Sequence, residues 1–302
     1  MNAKTVLLYV QGSAVRDPSL FAESPAEGQN RTRDTWFFGF IRGGLKTYSS
    51  EDRERVRADL IAAANADSRI TGVALTGSAS LGREDRWSDI DLAFGVGEAP
   101  QIESVLGDFT ARMYARHGAL HQLDVRREAW LYRVFLLSNS LQVDLAFAPR
   151  AVFGARAPSF RLLFGTAAEP SHVQASPAEE LIGYGWLYAL HVRSAVARGK
   201  LWQAEYMVSA MRDYVLAAAC RRYGLPAVEG RGVDQLPDAV TRPLRGALVT
   251  RLDPDEIVRA FGVAMDCLLN EARQSDAPLA ARLEPALHDL LESTRAAVLS
   301  SR

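Results

Sequence analysis

The stretch from Val73 to Val96, VALTGSASLGREDRWSDIDLAFGV, joins two apolar runs through a Gly77-Ser78 turn and places two acids, Asp89 and Asp91, in the second run. A buried strand would carry neither. Side chains alternate along an extended strand, so the two carboxylates share one face, about 7 Å apart, while Ile90 and Leu92 point to the core. Like charges held together call for a cation, and oxygen ligands on one face suit a hard divalent ion such as Mg²⁺.

Upstream, Ser49 with Asp52 three residues later resembles a capping box. It opens a helix with an apolar stripe of Val56, Leu60, Ile61 and Ala64, followed by a strand over Ile70–Thr76. Downstream, a second strand is expected over Trp87–Val96 and a crossover helix over Ile102–His117, with Asp108 and Arg112 paired and Gly118 as its stop. Trp130–Ser138 and Leu141–Ala148 are apolar runs around Asn139-Ser140, the pattern of a hairpin, and Asp144 interrupts the second run. Residues 1–47 lack periodicity and are expected to form an N-terminal extension, in which Gly12-Ser13 has no following Asp-x-Asp and the Trp36–Phe40 aromatics form an apolar flap. Residues 48–150 form the first folded domain, and 151–175, with Pro158 and Pro170, a linker. The helical signals after it give a C-terminal domain over 176–302, its first helix capped by Ser176 and a later one opened by Asp253-Pro254. A fourth helical stretch, Ala277–Leu299, carries Pro285 as a point of division. The fold class is therefore α+β: a small mixed sheet with helices, then an all-α bundle.

The 302 residues are 48% hydrophobic and 24% charged, which suits a folded soluble protein rather than a disordered chain. A formal net charge of -1 gives no global basic field for gripping a nucleic-acid template. Cys220 and Cys267 fit apolar helical patterns and no metal spacing, as buried thiols of a reducing compartment do, and the five histidines show no ligand spacing either. No apolar run reaches the length of a signal-peptide core or a membrane span, so the expected location is the cytoplasm.

If the strand carrying Asp144 lies beside the strand carrying Asp89 and Asp91, three carboxylates converge. Such a set holds two metal ions for in-line displacement at phosphorus, and a glycine turn with a serine hydroxyl approaches a triphosphate closely. Gly-Ser, ten residues, Asp-x-Asp and a third acid in a later strand resemble the DNA polymerase beta superfamily of nucleotidyltransferases, and the helical half is similar to that of the antibiotic nucleotidyltransferases within it. The usual Gly-Ser-x-Ala-x-Gly form is altered here to GSASLG, which keeps Gly82.

The resemblance implies that Asp89, Asp91 and Asp144 bind two Mg²⁺ ions, that Gly77 and Ser78 contact the nucleotide phosphates, and that ATP or another NTP is the co-substrate. It implies transfer of a nucleoside monophosphate to a hydroxyl of a small molecule, an aminoglycoside-like or lincosamide-like antibiotic, without template or membrane. Arg83 and Arg86 are either phosphate contacts or solvated loop charges. Trp87 is expected to pack against the strand face rather than stack on a base. Lys200 and Glu205 are either a phosphate contact and an acceptor-binding or basic group, or charges that suit helix ends. The alternative function is a binding or antitoxin-type module on the same fold, or an enzyme that nucleotidylates a protein.

Overall fold

The structure, a computed structural model, describes residues 47–171 and 176–300. The expected N-terminal extension, except for Thr47, lies outside the described residues, with Gly12-Ser13 and the Trp36–Phe40 cluster. The chain divides into two compact units, Met1–Val173 and Gln174–Arg302, and the α+β class with a helical second half is the observed one.

In the first unit, α1 (Ser50–Ala66) starts at Ser49, whose hydroxyl accepts from the Asp52 N–H while the Asp52 carboxylate accepts from the Ser49 N–H, the full capping box. There follow β1 (Ile70–Thr76), the single turn α2 (Gly77–Ser80), β2 (Ile90–Val96), α3 (Ile102–Arg116), β3 (Ala119–Arg127), β4 (Trp130–Leu137), β5 (Gln142–Pro149) and β6 (Phe160–Gly165). The sheet order is β3-β4-β5-β2-β1-β6, with β2 and β5 parallel and the other neighbours antiparallel.

The two faces of the sheet differ in kind. Ile90, Leu92 and Phe94 of β2 and Val143, Leu145 and Phe147 of β5 project into one core with Val56 and Leu60 of α1 and Phe109 of α3. The Phe94 ring lies 5.0 Å from Phe147 and 4.9 Å from Phe109, and each such buried side chain contributes roughly 1.5–3 kcal/mol. The opposite face is built of small residues. Ala74, Ala93 and Ala146 stand in register across β1, β2 and β5, and Gly72, Gly95 and Ala148 form the next row. Phe153 packs on that glycine row so closely that a Cβ added at Gly95 would lie 2.7 Å from its ring.

Several expected details differ. The second strand begins at Ile90 rather than Trp87, because the backbone before it is engaged by side chains instead of a ladder partner. Arg112 pairs with Asp59 at 2.9 Å and Asp108 with Arg69 at 2.5 Å rather than with each other, since α1 and the α1–β1 turn offer nearer partners. The sequence reading had no strand at β3. The stretch expected as a linker over 151–175 supplies β6, which pairs with β1 and so belongs to the sheet.

The second unit comprises α4 (Ala178–Ala197), α5 (Leu201–Arg222), α6 (Asp238–Leu244), α7 (Pro254–Ser275) and α8 (Ala277–Ser300). Helix α7 carries Ile257, Phe261 and Leu268 into the core, and Gly185 of α4 lets it close in, since a Cβ there would lie 2.5 Å from Leu268. Helix α4 starts one residue later than expected: Pro177, not Ser176, occupies the cap position, and no side chain caps it. Asp253 caps α7 as expected, accepting from the Glu256 N–H at 2.9 Å. Helix α8 runs on through Pro285 undivided. Buried Glu271 is held by Arg222 through two bonds of 2.8 and 2.9 Å. No described helix is long and apolar enough to cross a membrane.

Two outcomes follow from this packing. Gly72→Ala places a methyl 2.7 Å from both Phe153 and the Thr166 carbonyl oxygen; a stability loss of about 1–3 kcal/mol is expected in urea unfolding. Cys267 is unpaired, and burial pushes its thiol up to about 11, ahead of the effect of Asp266. At pH 8 it should react with a disulfide reagent about a hundredfold more slowly than an exposed cysteine, and a stopped-flow absorbance trace measures this.

Candidate active site

Parallel pairing of β2 with β5 sets Asp91 directly opposite Asp144, each only 4% exposed. Both project from the small-residue face, because residues 91 and 93 of β2 and 144 and 146 of β5 share it. Asp89 stands one residue before β2 and is partly buried. Oxygen atoms from all three carboxylates lie within 4.8 Å of one another. At an effective dielectric constant near 20, unit charges at that spacing repel by about 3 kcal/mol per pair. A set of converging carboxylate oxygens with that cost fits a hard divalent cation. Gln142, two residues before Asp144 on the same strand, donates its Nε2 to both carboxylate oxygens at 3.0 and 3.1 Å, fixing the orientation of the group.

Asp89 is placed by a clamped loop. Arg53 of α1, 4% exposed, donates Nη1 to the carbonyl oxygens of Asp85 at 2.6 Å and Ser88 at 3.1 Å. The Tyr48 hydroxyl donates to the same Ser88 carbonyl at 3.2 Å, and Arg57 grips Glu84 at 3.0 Å. Within the loop, Asp85 accepts from the Trp87 N–H at 2.8 Å and from the Ser88 hydroxyl at 3.1 Å, and the Trp87 bond is the main cause that holds its carboxyl below the usual range. The last fixed carbonyl is that of the residue before Asp89.

The Gly-Ser turn is the one-turn helix α2. Gly77 has φ of 60°, in the left-handed region that glycine enters without strain. The Ser78 carbonyl accepts from the N–H of Leu81 at 3.2 Å and of Arg83 at 3.0 Å, so the chain reverses tightly, and Gly82, at φ 63°, completes the reversal. Arg161 of β6 donates to the Ala79 carbonyl at 3.4 Å. A cavity of about 30 Å³ adjoins the carboxylates, lined by Asp91, Asp144 and Thr76, by Ala93 and Ala146, and by Trp130, Tyr132 and Arg156 among others.

The structure thus brings Asp89, Asp91 and Asp144 together. Trp87 does not pack on the strand face: it is 70% exposed, with the Arg86 guanidinium 4.7 Å from its ring centroid. The clamp on the loop's carbonyls turns both side chains to solvent. Lys200 and Glu205 belong to the second unit. Lys200 is the residue before α5, and Glu205 accepts from the Ser209 hydroxyl at 2.7 Å. His117 bonds Asp59 at 2.7 Å and takes no part in the carboxylate cluster. Sequence reasoning missed Gln142, Arg53 and Arg156. Period-two spacing from Asp144 is a signal for Gln142, whereas nothing in the polar face of α1 distinguishes Arg53.

No protein-family model matches the sequence, and no curated protein matches it. Among solved structures, the chain is similar to an aminoglycoside 6-adenyltransferase from Bacillus subtilis, with a TM-score of 0.35 and 13% identity over 80% of this chain and 99% of that one. It is similar also to a nucleotidyltransferase-like protein from Exiguobacterium sibiricum, with a TM-score of 0.32 and 14% identity over 75% and 78% of the two chains.

Arg53→Met leaves the Asp85 carbonyl without its donor, takes one of two donors from the Ser88 carbonyl, and leaves Glu84 with one cation fewer. The expected cost is on the order of 3 kcal/mol, and Arg53→Lys should recover part of it because an ammonium still reaches a carbonyl. Denaturant titration of the three proteins measures both differences.

Proposed function

We propose that the chain is a Mg²⁺-dependent nucleotidyltransferase that moves a nucleoside monophosphate, AMP from ATP in the first instance, to a hydroxyl of a small molecule. The observation that carries this reading is the convergence of three carboxylates on one sheet face, oxygens within 4.8 Å, beside the Gly77-Ser78 turn. Asp89, Asp91 and Asp144 would hold the divalent ions, two in number by the family resemblance. Such ions, when bound, lower the pKa of a coordinated hydroxyl and offset charge on a pyrophosphate leaving group.

The remaining work falls to the chain. The acceptor oxygen forms a bond to the α-phosphorus while the bond from that phosphorus to the bridging α–β oxygen breaks, and pyrophosphate leaves with the electron pair. Asp144, oriented by Gln142, is the carboxylate assigned to take the acceptor's proton. Gly77 and Ser78 face the phosphates in this reading, and the tight turn they occupy lets backbone N–H groups come near. Arg86, with its guanidinium on an exposed loop, is proposed as a further phosphate contact. Lys200 and Glu205 are proposed as a phosphate and an acceptor group. An aminoglycoside-like antibiotic is the acceptor to try first.

Incubation with labelled ATP, Mg²⁺ and an antibiotic panel, comparing wild type with Asp91→Asn, tests the reading. Label should pass to an acceptor in the wild type and fall at least about a hundredfold in the variant. Binding of ATP without transfer to any acceptor would favour the binding-module alternative. A second signature is independent of turnover: without metal, Asp91→Asn should melt higher than wild type because it removes one of the clustered like charges, and Mg²⁺ should raise the melting temperature of the wild type but hardly that of the variant.

A further inference from the structure

The segment after β5 is fixed in several places and delivers one charged side chain to the carboxylate cavity. The Pro149 carbonyl accepts from the N–H groups of Val152 and Phe153 at 2.9 and 3.0 Å, and Phe153 seats on the glycine row. Gly154 bridges to Ala168 so closely that a Cβ there would lie 2.6 Å from the Ala168 oxygen, and the Ala155 carbonyl accepts from the Ser171 N–H at 2.8 Å. Arg156 follows at once. Its side chain is 15% exposed and lines the same cavity as Asp91 and Asp144. Nη2 pairs with Glu128 Oε2 at 3.1 Å, a carboxylate 76% exposed at the left-handed turn between β3 and β4. Nε is buried and has no hydrogen-bond partner. An arginine presents its donors as a planar fork matched to carboxylate and phosphate oxygens, and Glu128 engages this one through Nη2.

We infer that Arg156 is a binding residue for a phosphoryl oxygen of the nucleoside triphosphate or of the pyrophosphate it releases. The inference rests on the nucleotidyl-transfer reading. A triphosphate brought to three carboxylates leaves the site net negative even with two divalent ions bound, and Arg156 is the cationic side chain of this cavity. About 30 Å³ admits one or two oxygen-sized groups rather than a whole ligand, which matches a single phosphoryl oxygen. Glu128 pairs with Nη2 of the guanidinium, which orients the fork before the ligand arrives.

Isothermal titration of the full-length chain with Mg·ATP, with Mg·pyrophosphate and with Mn²⁺ alone tests this. Arg156→Met should weaken Mg·ATP by about tenfold to a hundredfold, with Mn²⁺ affinity changed less than about twofold, and Arg156→Lys should recover part of the loss. A loss shared by Mg·pyrophosphate assigns the contact to the β- or γ-phosphoryl group, and a loss confined to ATP assigns it to the α-phosphoryl group. Glu128→Gln, which removes the ion pair and leaves the guanidinium, should cost less than about threefold. Unchanged ATP affinity in Arg156→Met overturns the inference. Equal losses of affinity and melting temperature in Arg156→Met and Glu128→Gln overturn it as well, because the pair would then be only a staple. A wild-type chain that binds Mn²⁺, Mg·ATP and Mg·pyrophosphate not at all overturns the nucleotidyl-transfer reading and this inference with it.

Discussion

The register between β2 and β5 is the constraint on which the rest depends. A slip of one residue would turn Asp144 to the opposite face, into the phenylalanine-rich core, and a slip of two would carry it about 7 Å along the sheet. The register is held from the hairpin that leads into β5: Ser140 takes a left-handed conformation, the Leu137 N–H bonds the Leu141 carbonyl at 3.0 Å, and the Asn139 carbonyl accepts from the Tyr48 N–H at 3.0 Å. The contact from Tyr48 also ties this hairpin to the segment that clamps the loop before Asp89. Both sides of the carboxylate cluster are therefore referenced to the start of the same helix.

Placing three acids together costs stability, and the division of labour between the two sheet faces offsets it. Phe94, Phe109 and Phe147 and their aliphatic neighbours fill one face, while alanines and glycines on the other leave room beside the acids without exposing large apolar surface. Phe153 closes the glycine row, so the opening is confined to the alanine row next to Asp91 and Asp144.

Much of this was legible in the sequence because the informative residues violate their context. Acids inside apolar runs at 89, 91 and 144, and glycine at a strand end, conflict with core packing and so announce a site. The elements that were not legible lack such conflict. Strand β3, ALHQLDVRR, is largely exposed and mixes polar with apolar residues without clean alternation. Strand β6, FRLLFG, lies at the sheet edge with its side chains largely exposed, between prolines, and so has the composition of a connection. The late start of β2 has its cause 35 residues away in Arg53, and Arg156 sits in that same apparent connection, its role visible only once the sheet is assembled.

The loop before Asp89 is gripped by Arg53 and Tyr48 through main-chain carbonyls, groups that every amino acid carries. Residues 86 and 87 present their side chains outward from this fixed frame. Trp87 can change under selection while the acid that follows stays in place, so the chain can sample new ligand contacts at its surface with Asp89 still held. Variation at Trp87 is in that sense a route by which specificity can evolve.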